Sequence, residues 1–146
     1  MPERTVFESI SHRQLVSVQP RASVLEAVWA MTGAQCSCVL VIDEAGAMVG
    51  ILTEHDLLTR VLAKTIDPKT TPVSAVMTHT PLSVVPELKA AEAVLLMIEH
   101  GVGHLPVVSA ASKILGVFSV RDALPREVGD AMSLAEFNDQ VNDAIA

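Results

Sequence analysis

The sequence predicts a mixed α/β (α+β) fold, in which two β-α-β-β-α repeats pack sheet to sheet with pseudo-two-fold symmetry. Three observations carry this. The chain aligns with itself at an offset of 66 without a gap from Ser17 to Asp122. Each half alternates continuous apolar runs with segments of helical period. Half of the 146 residues are hydrophobic, enough to bury the core of one domain or of two half-size units. One such unit cannot cover both faces of its sheet; two together can.

The self-matches fall at equivalent places in the two patterns. Ser17-Val18 aligns with Ser83-Val84, and Pro20 with Pro86. Glu26-Ala27-Val28 aligns with Glu92-Ala93-Val94, Met31 with Met97 and Val41 with Val107. Gly50 aligns with Gly116 and Asp56 with Asp122.

In the first copy, Leu15 to Val18 reads as a short strand ended by Pro20. Ser23-Val24-Leu25-Glu26 is a capping box that opens a helix with Leu25, Val28, Trp29 and Thr32 at helical spacing, and Gly33 stops it. Cys38 to Ile42 is a buried strand, Asp43 to Gly46 a turn, and Met48 to Leu52 the answering strand. Thr53 caps a second helix with Leu57, Leu58, Val61 and Leu62 as its apolar stripe.

The second copy repeats this order. Leu82 to Val85 is a strand, and Leu88 to Glu99 a helix stopped by Gly101 and Gly103. Leu105 to Val108 and Ile114 to Phe118 are strands, and a helix starts at Ser119, to be broken or kinked by Pro125. Thr65 to Pro72 is the linker. The expected organisation is repeat 1 at 10–66, repeat 2 at 73–124 and a helical tail at 125–146. In that tail Ser133-Leu134-Ala135-Glu136 is a further capping box, followed by Phe137, Val141 and Ile145 on one face.

Composition narrows the function classes. Seventeen acidic against 10 basic residues give a net charge of −7, which repels phosphodiester backbones. Phe7, Trp29, Phe118 and Phe137, with no Tyr, are too few for a base-stacking platform. No nucleic-acid partner is therefore expected. No apolar run reaches the ~18 residues of a membrane span, and MPERTVFESI is not of signal-peptide type. No membrane partner and a cytoplasmic, reduced setting follow as expectations. Cys36 and Cys38 make only half a zinc site and read as small structural residues. His100 and His104 stand four apart, but Gly101 and Gly103 between them argue against one helical face, so no metal is expected. His12, His55 and His79 are unassigned. The chain carries no Gly-x-Ser-x-Gly elbow, Walker loop or His-Glu-x-x-His motif, so it does not read as an enzyme.

The stretches GILTEHD (Gly50 to Asp56) and GVFSVRD (Gly116 to Asp122) hold the motifs to explain. Taken alone, Thr/Ser-x-x-Asp is a capping pattern: the hydroxyl takes an orphan amide and the acid complements the helix start. In context the pattern says more. Two β-α-β-β-α units that each carry Gly-apolar-apolar-Thr/Ser-x-x-Asp resemble the cystathionine-β-synthase (CBS) domain pair. The resemblance covers Ile10 to Leu124. It also rests on His104-Leu105-Pro106-Val107-Val108, on the Glu-Ala-Val helices and on Val76-Met77-Thr78.

This resemblance implies a non-enzymatic regulatory module for energy sensing. Its ligand is an adenine nucleotide (AMP, ADP or ATP) or S-adenosylmethionine, held in clefts between the repeats, with no obligatory cofactor. It also implies a homodimer and an unidentified target protein. A ligand-free protein–protein interaction scaffold is the alternative. At each cleft the helix start and the hydroxyl suit a phosphate, and the carboxylate suits both ribose hydroxyls. By the resemblance, Thr53 and Asp56 pair with Leu82, His104 and Pro106, while Ser119 and Asp122 pair with Val16 and Cys38. Arg121 is placed for a phosphate. The first copy departs from the pattern: it has Cys38-Val39-Leu40 for His104-Leu105-Pro106, and His55 for Arg121. The clefts are therefore expected to differ, with the Ser-Val-Arg-Asp one favoured.

Overall fold

The computed structural model describes residues 3–10 and 15–145; positions 11–14, inside the expected first repeat and including His12, lie outside the described residues. Two compact units result. One is built from residues 15–81, the other from 3–10 together with 82–145. The first few residues of the chain thus belong with the second copy.

Thr5 opens a one-turn helix, α1 (Val6–Ser9), through a capping box with Glu8. The chain then builds the first-copy unit. Strand β1 (Ser17–Val18) runs parallel to β2 (Cys38–Ile42), and helix α2 (Val24–Ala34) links them. Ser23 and Glu26 cap α2 as expected. Gly33 does not end it. Gln35 takes the left-handed C-cap at φ 55, the position at which the second copy has Gly101 at φ 64. The buried face is Val24, Ala27 and Met31, and Trp29 is 63% exposed instead of facing the core.

Strand β3 (Met48–Thr53) pairs antiparallel with β2, and Thr53 caps α3 (Glu54–Asp56), which widens into π-helical turns over Leu57–Leu62. Of the four-residue stripe expected there, Val61 is buried and Leu57 packs against the core, while Leu58 and Leu62 face solvent. After a 3-10 turn at Val73–Ala75, strand β4 (Thr78–His79) adds antiparallel to β3. The Val76-Met77-Thr78 stretch ahead of the second copy therefore completes the sheet of the first, in the order β1-β2-β3-β4. Val24, Met31, Val39, Val41, Leu52, Val73 and Met77 are among the residues that form the core.

In the second unit Leu82 to Val85 does not form a strand: it contributes one parallel bridge, Val84 to Val107. Helix α4 (Ala90–His100) follows, then the antiparallel pair β5 (His104–Val108) and β6 (Ile114–Ser119). Ser119 opens only one 3-10 turn, Val120–Asp122. Ala123 is extended, and Pro125 begins a new 21-residue helix, α5 (Pro125–Ile145), rather than breaking an old one. Proline suits a first helical position, where its missing amide is not needed. Glu127 reaches back to the Leu124 N–H at 2.7 Å, as the third residue of a capping box does. The second capping box expected at Ser133 is not used, because α5 runs through it. α5 packs on α4 through Ala131, but Phe137 and Ile145 near its end are 60% and 78% exposed.

Each unit is completed by the segment that precedes the other repeat in sequence. In one, the Val6 N–H donates to Leu88 O (2.7 Å), Phe7 to Pro86 O (3.1 Å), and the Ala90 N–H to Arg4 O (2.9 Å). In the other, Val73 donates to Ala22 O (2.8 Å), Ser74 to Pro20 O (3.0 Å), and Val24 to Thr71 O (2.9 Å). The acceptors Pro20 and Ala22 are the repeat equivalents of Pro86 and Leu88. Val6 and Val73 are both fully buried.

These leader segments explain the glycine that opens both motifs. A Cβ on Gly50 would lie 2.4 Å from the Met77 sulfur and 2.9 Å from the Thr78 carbonyl oxygen. Among the described residues a Cβ on Gly116 would meet only Ile10 Cδ1, at 3.1 Å. The first clash includes backbone; the second is with a movable side-chain end. Gly50→Ala is expected to cost about 3 kcal/mol, the upper range for overpacking, and Gly116→Ala less than about 1 kcal/mol. Urea unfolding of the two variants checks the difference, and equal losses would contradict this role for the leaders.

Candidate functional site

Both motifs make the local hydrogen bonds of a cap, and the two acids end in different states. At the first motif the Thr53 hydroxyl accepts from the Asp56 N–H (3.2 Å), and Asp56 Oδ2 accepts from the Thr53 N–H (3.0 Å). Asp56 Oδ1 accepts from the Thr78 hydroxyl (3.4 Å) and lies 3.8 Å from Arg60 Nε. Arg60 also donates from Nη1 to the carbonyls of Val76 (3.3 Å) and Met77 (2.8 Å). Asp56 is 5% exposed, and both of its oxygens are engaged within its own unit.

At the second motif Asp122 Oδ2 accepts from the Ser119 N–H (2.9 Å) and hydroxyl (3.4 Å). Oδ1 has no partner among the described residues, and the side chain is half-buried. Arg121 is exposed and makes no ion pair among the described residues.

The remaining predicted residues sit as follows. Cys38 stands directly across from Thr53 in the β2–β3 register, and His104 across from Ser119 in β5–β6. The Ser37 carbonyl accepts the Glu54 N–H at 3.1 Å, which brings the Cys36-Ser37-Cys38 run against the first motif. Val16 is half-buried and bonds through its carbonyl to the Leu40 N–H. Pro106 is fully buried and its carbonyl accepts from the Val84 N–H, while Leu82 is partly exposed. Each motif thus lies beside the strand start of its own repeat. Burial, and secondarily the neighbouring Cys36, push the Cys38 thiol up to about 12, so it stays protonated near neutral pH. Among the described residues, no three His, Cys, Asp or Glu side chains group to hold a metal ion.

Arg4, Arg60 and Glu127 are not singled out by the sequence, and Thr78 stands out there only within the Val76-Met77-Thr78 stretch, not as a partner of Asp56. Arg60 stands four residues after Asp56, a helical ion-pair spacing that is visible there. Arg4 and Glu127 are 123 positions apart and join only through the fold. Arg4 Nε donates to Glu127 Oε2 (3.1 Å), and Nη2 donates to Oε1 (2.7 Å) and to the Asp122 carbonyl (2.9 Å).

The Arg4 hydrogen bond holds the Glu127 carboxyl below the ordinary glutamate range, against its burial; the Leu124 amide and Arg126 act in the same direction as Arg4. A carboxyl with a depressed folded-state pKa stabilises the fold fully above its unfolded value, and that contribution is lost as pH falls through the folded one. The unfolding free-energy gap between wild type and Glu127→Gln is expected to be constant near neutrality and to shrink below about pH 4.3. Denaturant titrations from pH 7 to 3 check this; a gap independent of pH contradicts it.

The family model for the CBS domain matches twice, at residues 7–63 and 73–129. The meiotically up-regulated gene 70 protein of Schizosaccharomyces pombe is 39% identical over 103 residues, covering 70% of this chain and 14% of that one. An uncharacterized protein of Methanopyrus kandleri is 25% identical over 118 residues, covering 81% of this chain and 60% of that one. The chain thus spans less than two thirds of the length of either relative. Among solved structures, a CBS domain protein of Pyrobaculum aerophilum complexed with AMP superposes with a TM-score of 0.76 at 22% identity, covering 85% of this chain and 94% of that one. With two matches in tandem over most of its length, and with the fold and repeated motifs described above, the chain belongs to the CBS-domain family.

Proposed function

We propose that the protein is a non-enzymatic regulatory module that binds an adenosine-containing ligand of the AMP, ADP or ATP class, with Ser119, Arg121 and Asp122 as its principal grip. One observation carries the choice of motif. Among the described residues Asp122 keeps one carboxylate oxygen unengaged, with the exposed Arg121 next to it in sequence, whereas Asp56 has both oxygens engaged internally. A half-buried carboxylate accepts from vicinal ribose hydroxyls better than a neutral group does. The Arg121 fork matches phosphate oxygens. Because only one 3-10 turn follows Ser119, the charge for the phosphate comes from this side chain rather than from a long helix.

Thr53 and Asp56 form the weaker second grip, and Val16, Cys38, Leu82, His104 and Pro106 are the base-side residues to substitute next. The AMP complex of the Pyrobaculum protein supports adenosine as the ligand class. S-adenosylmethionine remains the rival ligand, a homodimer the working assembly and the cytoplasm the proposed setting. An unidentified target protein reads the state of the module.

A second reading, a ligand-free scaffold, is favoured by the exposed Leu58, Leu62, Phe137 and Ile145, which offer apolar surface to another protein. Thermal unfolding with AMP, ADP, ATP and S-adenosylmethionine separates the two. A nucleotide at one hundred times its dissociation constant should add about 2.7 kcal/mol. Asp122→Ala should abolish that gain. Asp56→Ala should lower stability by about 1 kcal/mol through the lost cap yet keep the response. Indifference of wild type and Asp122→Ala to all four ligands would leave the scaffold standing.

A further inference from the structure

Between Asp122 of the second motif and Glu127 in the first turn of α5 the chain crosses four residues, Ala123 to Arg126, and one ion pair clamps both ends. Arg4, 118 positions before Asp122, donates to the Asp122 carbonyl. The same guanidinium grips both oxygens of Glu127, and Glu127 Oε1 also accepts the Leu124 N–H. The Asp122 backbone is therefore fixed from one side by Arg4, and its carboxylate from the other by the Ser119 amide and hydroxyl.

The first motif has an arginine staple of opposite sense. Arg60 leaves the helix after the motif and reaches the leader carbonyls of Val76 and Met77, and its charge falls on Asp56 itself. Arg4 leaves the leader and reaches the motif; its ion pair is with Glu127, and Asp122 and Glu8 feel its charge only at longer range. The first arrangement draws the acid of the motif into an internal pair; the second leaves that acid for something else.

We propose that Arg4 is the positioning residue of the Ser119–Asp122 grip, and that through it ligand occupancy is coupled to the seating of residues 3–10 and of α5. This rests on the nucleotide reading given above. Arg4 does not touch the ligand; it sets the backbone from which Asp122 reaches it. Coupling of this kind is reciprocal: a ligand that needs a fixed Asp122 must also tighten the leader and the start of α5.

The test uses the full chain, AMP as the probe, and two readouts: calorimetric titration, and amide hydrogen exchange without and with AMP. The variants are Arg4→Gln and Arg4→Lys. Arg4→Gln is expected to weaken AMP about tenfold, within the usual range of coupling, and to speed exchange at Val120–Leu124. Exchange at Thr53–Asp56 should stay unchanged. Arg4→Lys should fall between, since an ammonium cannot hold two carboxylate oxygens and a carbonyl in one plane. AMP should slow exchange over residues 3–10 and Glu127–Ala131 in wild type but not in Arg4→Gln. A variant that loses stability yet binds AMP as wild type does would make Arg4 merely structural and overturn the proposal. If wild type binds no AMP, the nucleotide reading fails separately. Exchange then decides alone: acceleration confined to Val120–Leu124 retains the hold of Arg4 on the motif, and its absence removes it.

Discussion

Each repeat of this protein is finished by the stretch of chain that comes before the other one. Two short leaders, around Val6 and around Val73, make the same backbone hydrogen bonds to equivalent positions of the repeats they join. Each buries a valine completely in its adopted core. Burial of that side chain is worth roughly 1.5–3 kcal/mol, and the paired amides satisfy donors at a helix entrance that would otherwise need water. The motif glycines follow from this seating, because Met77 lies against Gly50 and Ile10 against Gly116. The Gly at the head of the first motif is thus a packing requirement, while at the second the constraint is slight, a contact with one movable side-chain end.

The leaders also differentiate two motifs that duplication made alike. The leader on the first copy brings Thr78 and two carbonyls, which Arg60 and Asp56 satisfy at once. The leader on the second brings Arg4, whose partner is Glu127 of α5 and the motif carbonyl, not the motif acid. Differences outside the motifs therefore decide which of two near-identical Thr/Ser-x-x-Asp stretches keeps, among the described residues, an unengaged carboxylate oxygen. On the proposed reading a cap and a grip are not exclusive: Oδ2 of Asp122 serves the cap, and Oδ1 has no partner among the described residues.

Much of the fold was legible because local chemistry and tertiary packing agreed. Cys38–Ile42 is the strand its apolar run predicts, and Ser23 with Glu26 starts α2 where the capping box does. The failures have particular causes. Gly33 has no special role, because the helix continues one residue further, to Ala34, and is capped by Gln35 in the left-handed region, a position usually reserved for Gly or Asn. Trp29 falls beside the α2 core stripe, not in it, so helical spacing alone put it on the wrong side. Pro125 was read as a breaker; with Leu124 held by Glu127 it is an initiator. Leu82 to Val85 has strand composition but only one ladder partner, Val107. The motif residues themselves were found by repetition, while their partner Arg4 could not be, since nothing local marks a contact made across 118 positions.

The exchange of leaders is tested most directly by removing residues 1–10 and following amide protection by hydrogen exchange across the rest of the chain. If the leader belongs where the backbone hydrogen bonds put it, protection falls in residues 82–145, remote in sequence, and persists in 15–81, which directly follow the cut. Loss of protection in 15–81 with 82–145 intact, or no change in either, would contradict the account.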